Sequence, residues 1–123
     1  LGRETGPCLY IYEQQMGAHR QRGLVAVCHV EDYDAELIKK HEKTRKDKED
    51  DRTKLIDTIS ANTGPVFLTY RDEAAVTALV NAKVKETPAH DFVAPDGIRH
   101  TAWRVAGGEE WIKAFGKVPV TYI

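Results

Sequence analysis

Three basic side chains recur at three- and four-residue steps in the middle of the sequence, and their spacing suits the binding of an anion. Arg45, Lys48 and Arg52 continue the line of an apolar stripe that contains Ile56 and Ile59. Because residues three or four apart share one side of a helix, the pattern predicts a helix that is basic at its start and apolar at its end. The first turn of a helix also offers unpaired N–H groups and a partial positive charge. The sequence therefore predicts a phosphate or carboxylate site at this position.

Thr44 is the predicted N-cap of this helix and the fourth predicted phosphate-binding residue, with Asp47 three residues later as a weak capping box. Opposite charges four residues apart predict ion pairs on the outward side of the helix, namely Lys43–Asp47, Lys46–Asp50 and Asp50–Lys54. A second interpretation is that the whole segment is a solvated helix whose charges bind no ligand. The spacing leaves both interpretations open.

Length and charge limit the classes of protein that this chain can represent. Its 123 residues suit one domain, and we expect a single α/β domain over residues 1–123. A net charge of −1 argues against nucleic acid or an anionic membrane as a general partner. No apolar run approaches the roughly 20 residues that cross a bilayer, and no signal-peptide pattern is present. We therefore expect a cytoplasmic protein without a membrane partner.

The ends of the sequence have the character of a fragment of a longer polypeptide. Residue 1 is Leu rather than Met, and the last residues, from Val118, have the composition of a buried strand. Because the chain has the character of a fragment, the missing segments of the parent chain are expected partners of this one.

Cys8 and Cys28 are too few for a disulfide framework or a zinc motif, and we expect two reduced, buried thiols.

Periodicity and turn residues predict an α+β (mixed α/β) fold, with a largely antiparallel or mixed sheet, two hairpins and about three helices. The first hairpin joins strands 7–14 and 22–30, and the second has Asp96-Gly97 at its turn, between runs 91–94 and 98–105. The other predicted elements are a short helical turn at 35–38, a helix that ends near 61–65, a central strand at 65–71, a helix from a cap at Asp72 to Lys85, a short helix at 109–115 with Gly116 as its cap, and a final strand from Val118.

No phosphate loop, dinucleotide fingerprint, zinc-protease motif or nucleophile elbow is present in the sequence. His100 lies in a predicted strand beside Arg99 and near Arg104. A histidine in this position serves either acid–base chemistry and anion contact, or packing across the sheet. The residues alone leave both roles open.

Several phrases of the sequence resemble one prokaryotic family. They are Asp32-Tyr33-Asp34, residues 38–44 (IKKHEKT), residues 48–52 (KEDDR), residues 62–70 (NTGPVFLTY) and residues 96–103 (DGIRHTAW). Together they are similar to the family known as domain of unknown function 1015, and the resemblance covers nearly the whole chain. That family is in turn similar to the ParB/sulfiredoxin superfamily, which includes free-serine kinases, and it has been linked to a serine kinase that uses pyrophosphate.

The resemblance implies part of a phosphotransferase. In this hypothesis Arg45, Lys48 and Arg52 hold a phosphoryl donor such as phosphate or pyrophosphate, and His41 assists or orients. Glu42 or Asp51 holds Mg²⁺ or accepts the proton of a small hydroxyl substrate. His100 and Arg104 line the same cleft. The family's Asp-Gly-His-His-Arg stretch would follow residue 123, so the resemblance also implies that this fragment alone is inactive.

Two further hypotheses come from other functional classes. In the first, the charged helix contacts nucleic-acid phosphates in a non-catalytic module of the ParB type, and binding depends strongly on salt. In the second, the charged helix packs against missing parts of the parent chain, and the protein is an interaction domain that binds no phosphate ligand. The chain is thus an enzyme fragment in one hypothesis and not an enzyme in the other two.

Overall fold

The structure is a computed structural model that describes residues 3–40 and 43–123. Within these ranges the chain forms, in order, β1 (Cys8–Met16), β2 (His19–Val25), α1 (Val30–Asp34), β3 (Ile38–Lys39), α2 (Lys46–Ile59), α3 (Ala74–Lys83), β4 (His90–Val93), β5 (Arg99–Ala106), α4 (Glu109–Phe115) and β6 (Thr121–Tyr122). They group into two units. The first contains the residues up to Cys28 and those of Asp72–Val118, and the second contains His29–Arg71 and Pro119–Ile123.

Alternation of apolar and polar residues builds the first unit around an antiparallel sheet with the order β2-β1-β5-β4. Successive side chains of a strand point to opposite faces. Ile11, Trp103 and Val105 therefore share the inner face and form one buried cluster with Trp111 of α4. Leu79 and Val80 of α3 pack against this cluster. Burial of each large side chain contributes about 1.5–3 kcal/mol, so this face holds the unit together.

Two glycines take conformations that the first unit needs. Gly17 has a φ of 59° in the tight turn between β1 and β2, where glycine carries no steric penalty. Gly108 has a φ of 73° as the N-cap of α4, and a Cβ atom there would lie 3.0 Å from Cδ1 of Leu9. A side chain at position 108 would therefore require the Leu9 side chain to shift by a few tenths of an ångström, and the positive φ would add backbone strain.

The second unit contains α1, β3, α2 and β6. β3 and β6 pair in parallel, with Ile38 opposite Thr121, and Thr69 adds an isolated antiparallel bridge to Tyr122. Every described residue of α2 is exposed to solvent, whereas Ile38 is buried. This unit therefore buries much less apolar surface per element than the first.

The structure confirms the predicted α+β class. Both hairpins are present, since β1 pairs with β2 and β4 with β5 in antiparallel fashion. The final short helix spans Glu109–Phe115 with Gly116 as its C-cap, as predicted. Helix α1 covers Val30–Asp34, earlier than the helical turn predicted at 35–38.

Several predicted boundaries are wrong. β2 occupies His19–Val25 rather than 22–30, because the two-residue turn at Gly17 sets the register that places Met16 opposite His19. Cys28 is consequently beyond the strand and exposed, and Cys8 is only half-buried, so the predicted burial of both thiols is wrong, although both cysteines are free as expected. α3 begins at Ala74, and its cap is Glu73 rather than Asp72, because the Glu73 carboxylate accepts a hydrogen bond from the N–H of Ala75.

The predicted central strand at 65–71 is also wrong. Thr69 alone makes a bridge there, and the side chains of Val66 and Phe67 are 63% and 65% exposed. An apolar β-branched run forms a strand only where a neighbouring strand satisfies its backbone, and in the described ranges the sheet partner is limited to Tyr122. For the same reason the final strand is short and begins at Thr121 rather than Val118.

Candidate functional site

Helix α2 begins one residue later than the sequence predicts. Arg45 takes the extended N-cap conformation, and its carbonyl accepts the first helical hydrogen bond from the N–H of Glu49 at 3.0 Å. Thr44 is therefore not the N-cap, and no side chain caps this end of the helix. Nη2 of Arg45 instead pairs with a carboxylate oxygen of Asp47 at 2.8 Å. The guanidinium at the head of the helix is thus already neutralised by an exposed partner.

Lys48 and Arg52 lie one helical turn apart on the same face of α2. Their side chains make no ion pair and no side-chain hydrogen bond with any residue in the two described ranges. The Arg52 guanidinium approaches residues 62–64, because a Cβ atom at Gly64 would lie 3.4 Å from its Nη1. Within the described residues the two cations are therefore uncommitted, and the absence of a side chain at Gly64 leaves room for the Arg52 guanidinium.

Acidic residues neutralise the outward side of α2. Nζ of Lys46 lies 2.8 Å from Asp50, which is one of the three predicted pairs, and 3.7 Å from Glu49. The hydrogen bond to Asp50 raises the pKa of the Lys46 amine above its ordinary value. The other two predicted pairs do not form, because Asp47 binds Arg45 and Asp50 binds Lys46. Charges are therefore paired on the outward side of α2, whereas Lys48 and Arg52 on the other face make no ion pair with a described residue.

The apolar side chains at the C-terminal end of the same face are partly exposed to solvent. Leu55, Ile56 and Ile59 are 39%, 39% and 42% exposed. They follow Lys48 and Arg52 along the stripe that the sequence predicts. The face of α2 thus combines free cations with accessible apolar side chains.

The predicted carboxylate and imidazole groups are only partly described. His41 and Glu42 lie outside the described residues. Asp51 is exposed on α2, beside the face of Lys48. Among residues 3–40 and 43–123, no group of three His, Cys, Asp or Glu side chains is arranged to hold a metal ion. No helix in these ranges is long and apolar enough to cross a membrane.

His100 and Arg104 lie on the outer face of β5, the face opposite the buried cluster of the first unit. Nδ1 of His100 is 2.6 Å from the hydroxyl of Tyr12, and the hydroxyl donates this hydrogen bond in the tautomer whose Nδ1 carries no proton. Phe92 of β4 lies parallel to the same imidazole, with ring centroids 5.1 Å apart and planes 17° apart. Packing across the sheet is therefore one real role of His100.

Arg104 is held by the carboxylate of Glu4, with Nε 2.9 Å from the oxygen. The other oxygen of Glu4 accepts a hydrogen bond from the Tyr10 hydroxyl. The hydrogen bond from Tyr10 is the larger cause, and that from Arg104 the next, of a pKa of Glu4 below its usual range. The same carboxylate raises the pKa of Tyr10 to about 12. Arg104 is therefore less available to a ligand than Lys48 or Arg52.

A second polar feature lies on the inner face of the first unit, beyond the end of the buried cluster. It is an open groove of about 230 Å³ whose floor includes the buried residues Glu13 and Thr101. Arg22 binds Glu13 at 2.5 Å, and Arg99 binds Asp91 through two nitrogens. The carboxylates on this face are therefore paired with arginines across the strands. The sequence analysis did not single out these residues, since the pairing depends on strand register.

The structure thus brings the predicted residues together in two separate groups. Lys48, Asp51 and Arg52 lie on α2 in the second unit, with Arg45 as the N-cap of that helix, and His100 and Arg104 share one face of β5 in the first unit. The sequence analysis missed Tyr12, the hydrogen-bond partner of His100. The available signal was the alternation of Tyr10, Tyr12 and Gln14 on one face of a strand.

Comparison with known proteins gives one match. A family model described as "Protein of unknown function (DUF1015)" covers residues 1–123. No curated protein matches the chain. No solved structure matches it.

Proposed function

The chain belongs to the DUF1015 family, and we propose that its helix α2 binds the phosphate groups of a phosphoryl donor for a phosphotransferase. The observation that carries this proposal is the pair of uncommitted cations, Lys48 and Arg52, on one helical face. Charge-assisted hydrogen bonds from such groups to phosphate oxygens are among the strongest that proteins make. The resemblance to pyrophosphate-dependent free-serine kinases adds the expected donor and substrate.

The basic residues at the start of α2 have distinct roles in this proposal. Arg52 and Lys48 hold the donor's terminal phosphate, and Arg45 joins them by exchanging its bond to Asp47 for one to the phosphate. Thr44 offers a hydroxyl near the start of the helix. The half-exposed Leu55 and Ile56 are close to the same face, where they limit access of water to the bound anion.

The reaction needs a group that removes a proton from the acceptor. The acceptor hydroxyl oxygen attacks the terminal phosphorus, the bond to the bridging oxygen breaks, and orthophosphate leaves. Asp51, which lies three residues after Lys48 on α2, accepts the hydroxyl proton in this scheme. His41 and Glu42 keep their proposed assisting roles on the grounds of sequence alone.

Mg²⁺ fits this site as an ion carried by the donor. Mg²⁺ in proteins is commonly bound through one or two carboxylates together with substrate phosphates. Asp51 supplies one such carboxylate, and the described residues offer no complete set of three ligands. When bound, the ion would neutralise charge on the phosphate oxygens.

Calorimetric titration with pyrophosphate, with and without Mg²⁺, tests the proposal. Arg52→Ala should weaken binding by roughly 10- to 100-fold, because a hydrogen bond to a charged group contributes about 1.5–3 kcal/mol. Its stability should change by about 0.5 kcal/mol or less, since the side chain is exposed. Lys54→Ala is the matched control, because it removes a cation from a different face of the same helix.

Equal losses for Arg52→Ala and Lys54→Ala would reduce the effect to general charge attraction and refute a specific site. Unchanged affinity in Arg52→Ala would refute it as well. Transfer itself is tested on a chain that also contains the Asp-Gly-His-His-Arg stretch implied by the family resemblance. There, ³¹P NMR should show pyrophosphate consumed with serine present and preserved without it.

A further inference from the structure

The outer face of the four-stranded sheet carries an aromatic surface that the proposed function does not use. Tyr12 of β1, His100 of β5 and Phe92 of β4 lie side by side on this face. Helices α3 and α4 cover the inner face, and Phe92 remains 57% exposed. Tyr12 and His100 are half-buried, so the aromatic surface is partly accessible within the described residues.

The Tyr12 ring meets the edge of the His100 imidazole with its hydroxyl end. The Tyr12 hydroxyl is 2.6 Å from Nδ1 of His100, while the ring centroids are 6.0 Å apart and the planes differ by 18°. Rings joined through the phenol tip at this centroid distance cannot overlap face to face. They instead form one almost continuous flat surface, and the hydrogen bond fixes its orientation.

The neighbouring strand leaves space beside Tyr12. Its cross-strand partner on β2 is Gly23, and a Cβ atom built there would meet no heavy atom within 4 Å. Glycine inside a strand lowers sheet stability and often marks a position that a ligand approaches closely. Gln14 and Gln21, which are exposed and paired across the two strands, flank this gap on the same face.

The charges of the two sheet faces differ. Both carboxylates that the four strands carry, Glu13 and Asp91, point to the inner face, where arginines bind them. The strands' outer face has Arg104 and His90 but no carboxylate of its own, and Glu4, from the segment before β1, reaches Arg104. This face can therefore accept a ligand with a small negative charge.

We propose that this face binds the base of a free purine nucleoside or nucleoside monophosphate. The base stacks on the Tyr12–His100 surface above Gly23, and the amides of Gln14 and Gln21 bond to its edge. Glutamine amides match the donor and acceptor pair of adenine. A net charge of −1 and one ion-paired arginine provide little attraction for a polyanion, so the occupant is a single nucleotide rather than a strand.

Saturation-transfer NMR and calorimetry on the complete 123-residue chain test this site with AMP as the probe. Ribose 5-phosphate is the control ligand that lacks a base, and an eight-residue oligo(dT) is the control for a strand. AMP should bind more tightly than ribose 5-phosphate, with saturation transferred mainly to the purine protons. Equal binding of AMP and ribose 5-phosphate, or tighter binding of the oligonucleotide, would overturn the proposal.

Matched substitutions identify the stacking residue. Tyr12→Leu should weaken AMP binding by roughly 5- to 150-fold, the range that stacking energies of about 1–3 kcal/mol imply, whereas Tyr12→Phe keeps a ring and should lose much less. Gly23→Val should fold, because the space around its Cβ is open, and should abolish binding by filling the gap. Wild-type affinity in a folded Gly23→Val variant would refute the site even if Tyr12→Leu failed to fold. This test is independent of the pyrophosphate site on α2.

Discussion

Replacement of Arg22 by Met should destabilise the first unit by about 1.5–3 kcal/mol, because it leaves the Glu13 carboxylate buried without its partner. The Arg22–Glu13 distance is 2.5 Å, and the Glu13 side chain is 8% exposed. Removal of one member of a fully buried pair costs about 3–5 kcal/mol. The Arg22 side chain is 32% exposed, so water reaches the site after truncation and the cost falls below that range. Met keeps the apolar stem, which separates the loss of charge from the loss of packing.

Urea denaturation of both single variants and the double variant measures this interaction. Glu13→Gln should cost less than Arg22→Met, because the remaining arginine can turn toward solvent. The coupling energy of the double-mutant cycle should be about 1–2 kcal/mol. The exposed pair Arg45–Asp47, with side chains 74% and 59% exposed, is the matched control and should couple by about 0.5 kcal/mol or less. Equal coupling in the two cycles would refute the argument that burial strengthens the Glu13 pair.

Three further predictions concern the first unit. Ile11→Ala should cost about 2–5 kcal/mol in thermal or urea unfolding, since Ile11 is fully buried, and a loss below 1 kcal/mol would contradict the assigned core. Tyr10 has a pKa raised to about 12 by Glu4, so its stabilising effect is complete below pH 10 and is lost through about pH 12. Absorbance at 295 nm should show this late titration, and Tyr10→Phe should remove it. The hydrogen bond from Arg99 lowers the pKa of Asp91. The ionised Asp91 therefore stabilises the fold at neutral pH, and this stabilisation is lost as the pH falls and the carboxylate takes up a proton. Asp91→Asn should flatten that acidic part of the curve of unfolding free energy against pH.

The elements that the sequence predicted well are those with a local signal. The Asp96-Gly97 turn lies between two strand-like runs, and β4 and β5 form there as a hairpin. The helix at Glu109–Phe115 has glycines on both sides and matches its predicted bounds. In each case residues close in sequence decide the structure.

The elements that the sequence predicted badly depend on distant partners. Residues 65–71 have the composition of a central strand, but the strand needs neighbours whose position no local pattern reveals, and Phe67 remains exposed. The N-cap of α2 is Arg45 rather than Thr44, since Arg45 takes the extended cap conformation without a side-chain cap, and residue type alone places a helix end only to within one or two residues. Tyr12 became visible as the partner of His100 when the register of β1 and β5 was known.

The pairing of β1 with β5 has a consequence for the order of folding. Cys8 lies opposite Ala106, so the two middle strands join residues that are about 100 positions apart, and such long loops raise the entropic cost of the first contact. At a synthesis rate of about 5–20 residues per second, β1 and β2 leave the ribosome several seconds before β5 exists. An isolated hairpin is marginally stable in water. During that interval the inner face of the hairpin, with Ile11 at its centre, has no β5 to pair with and is open to chaperones.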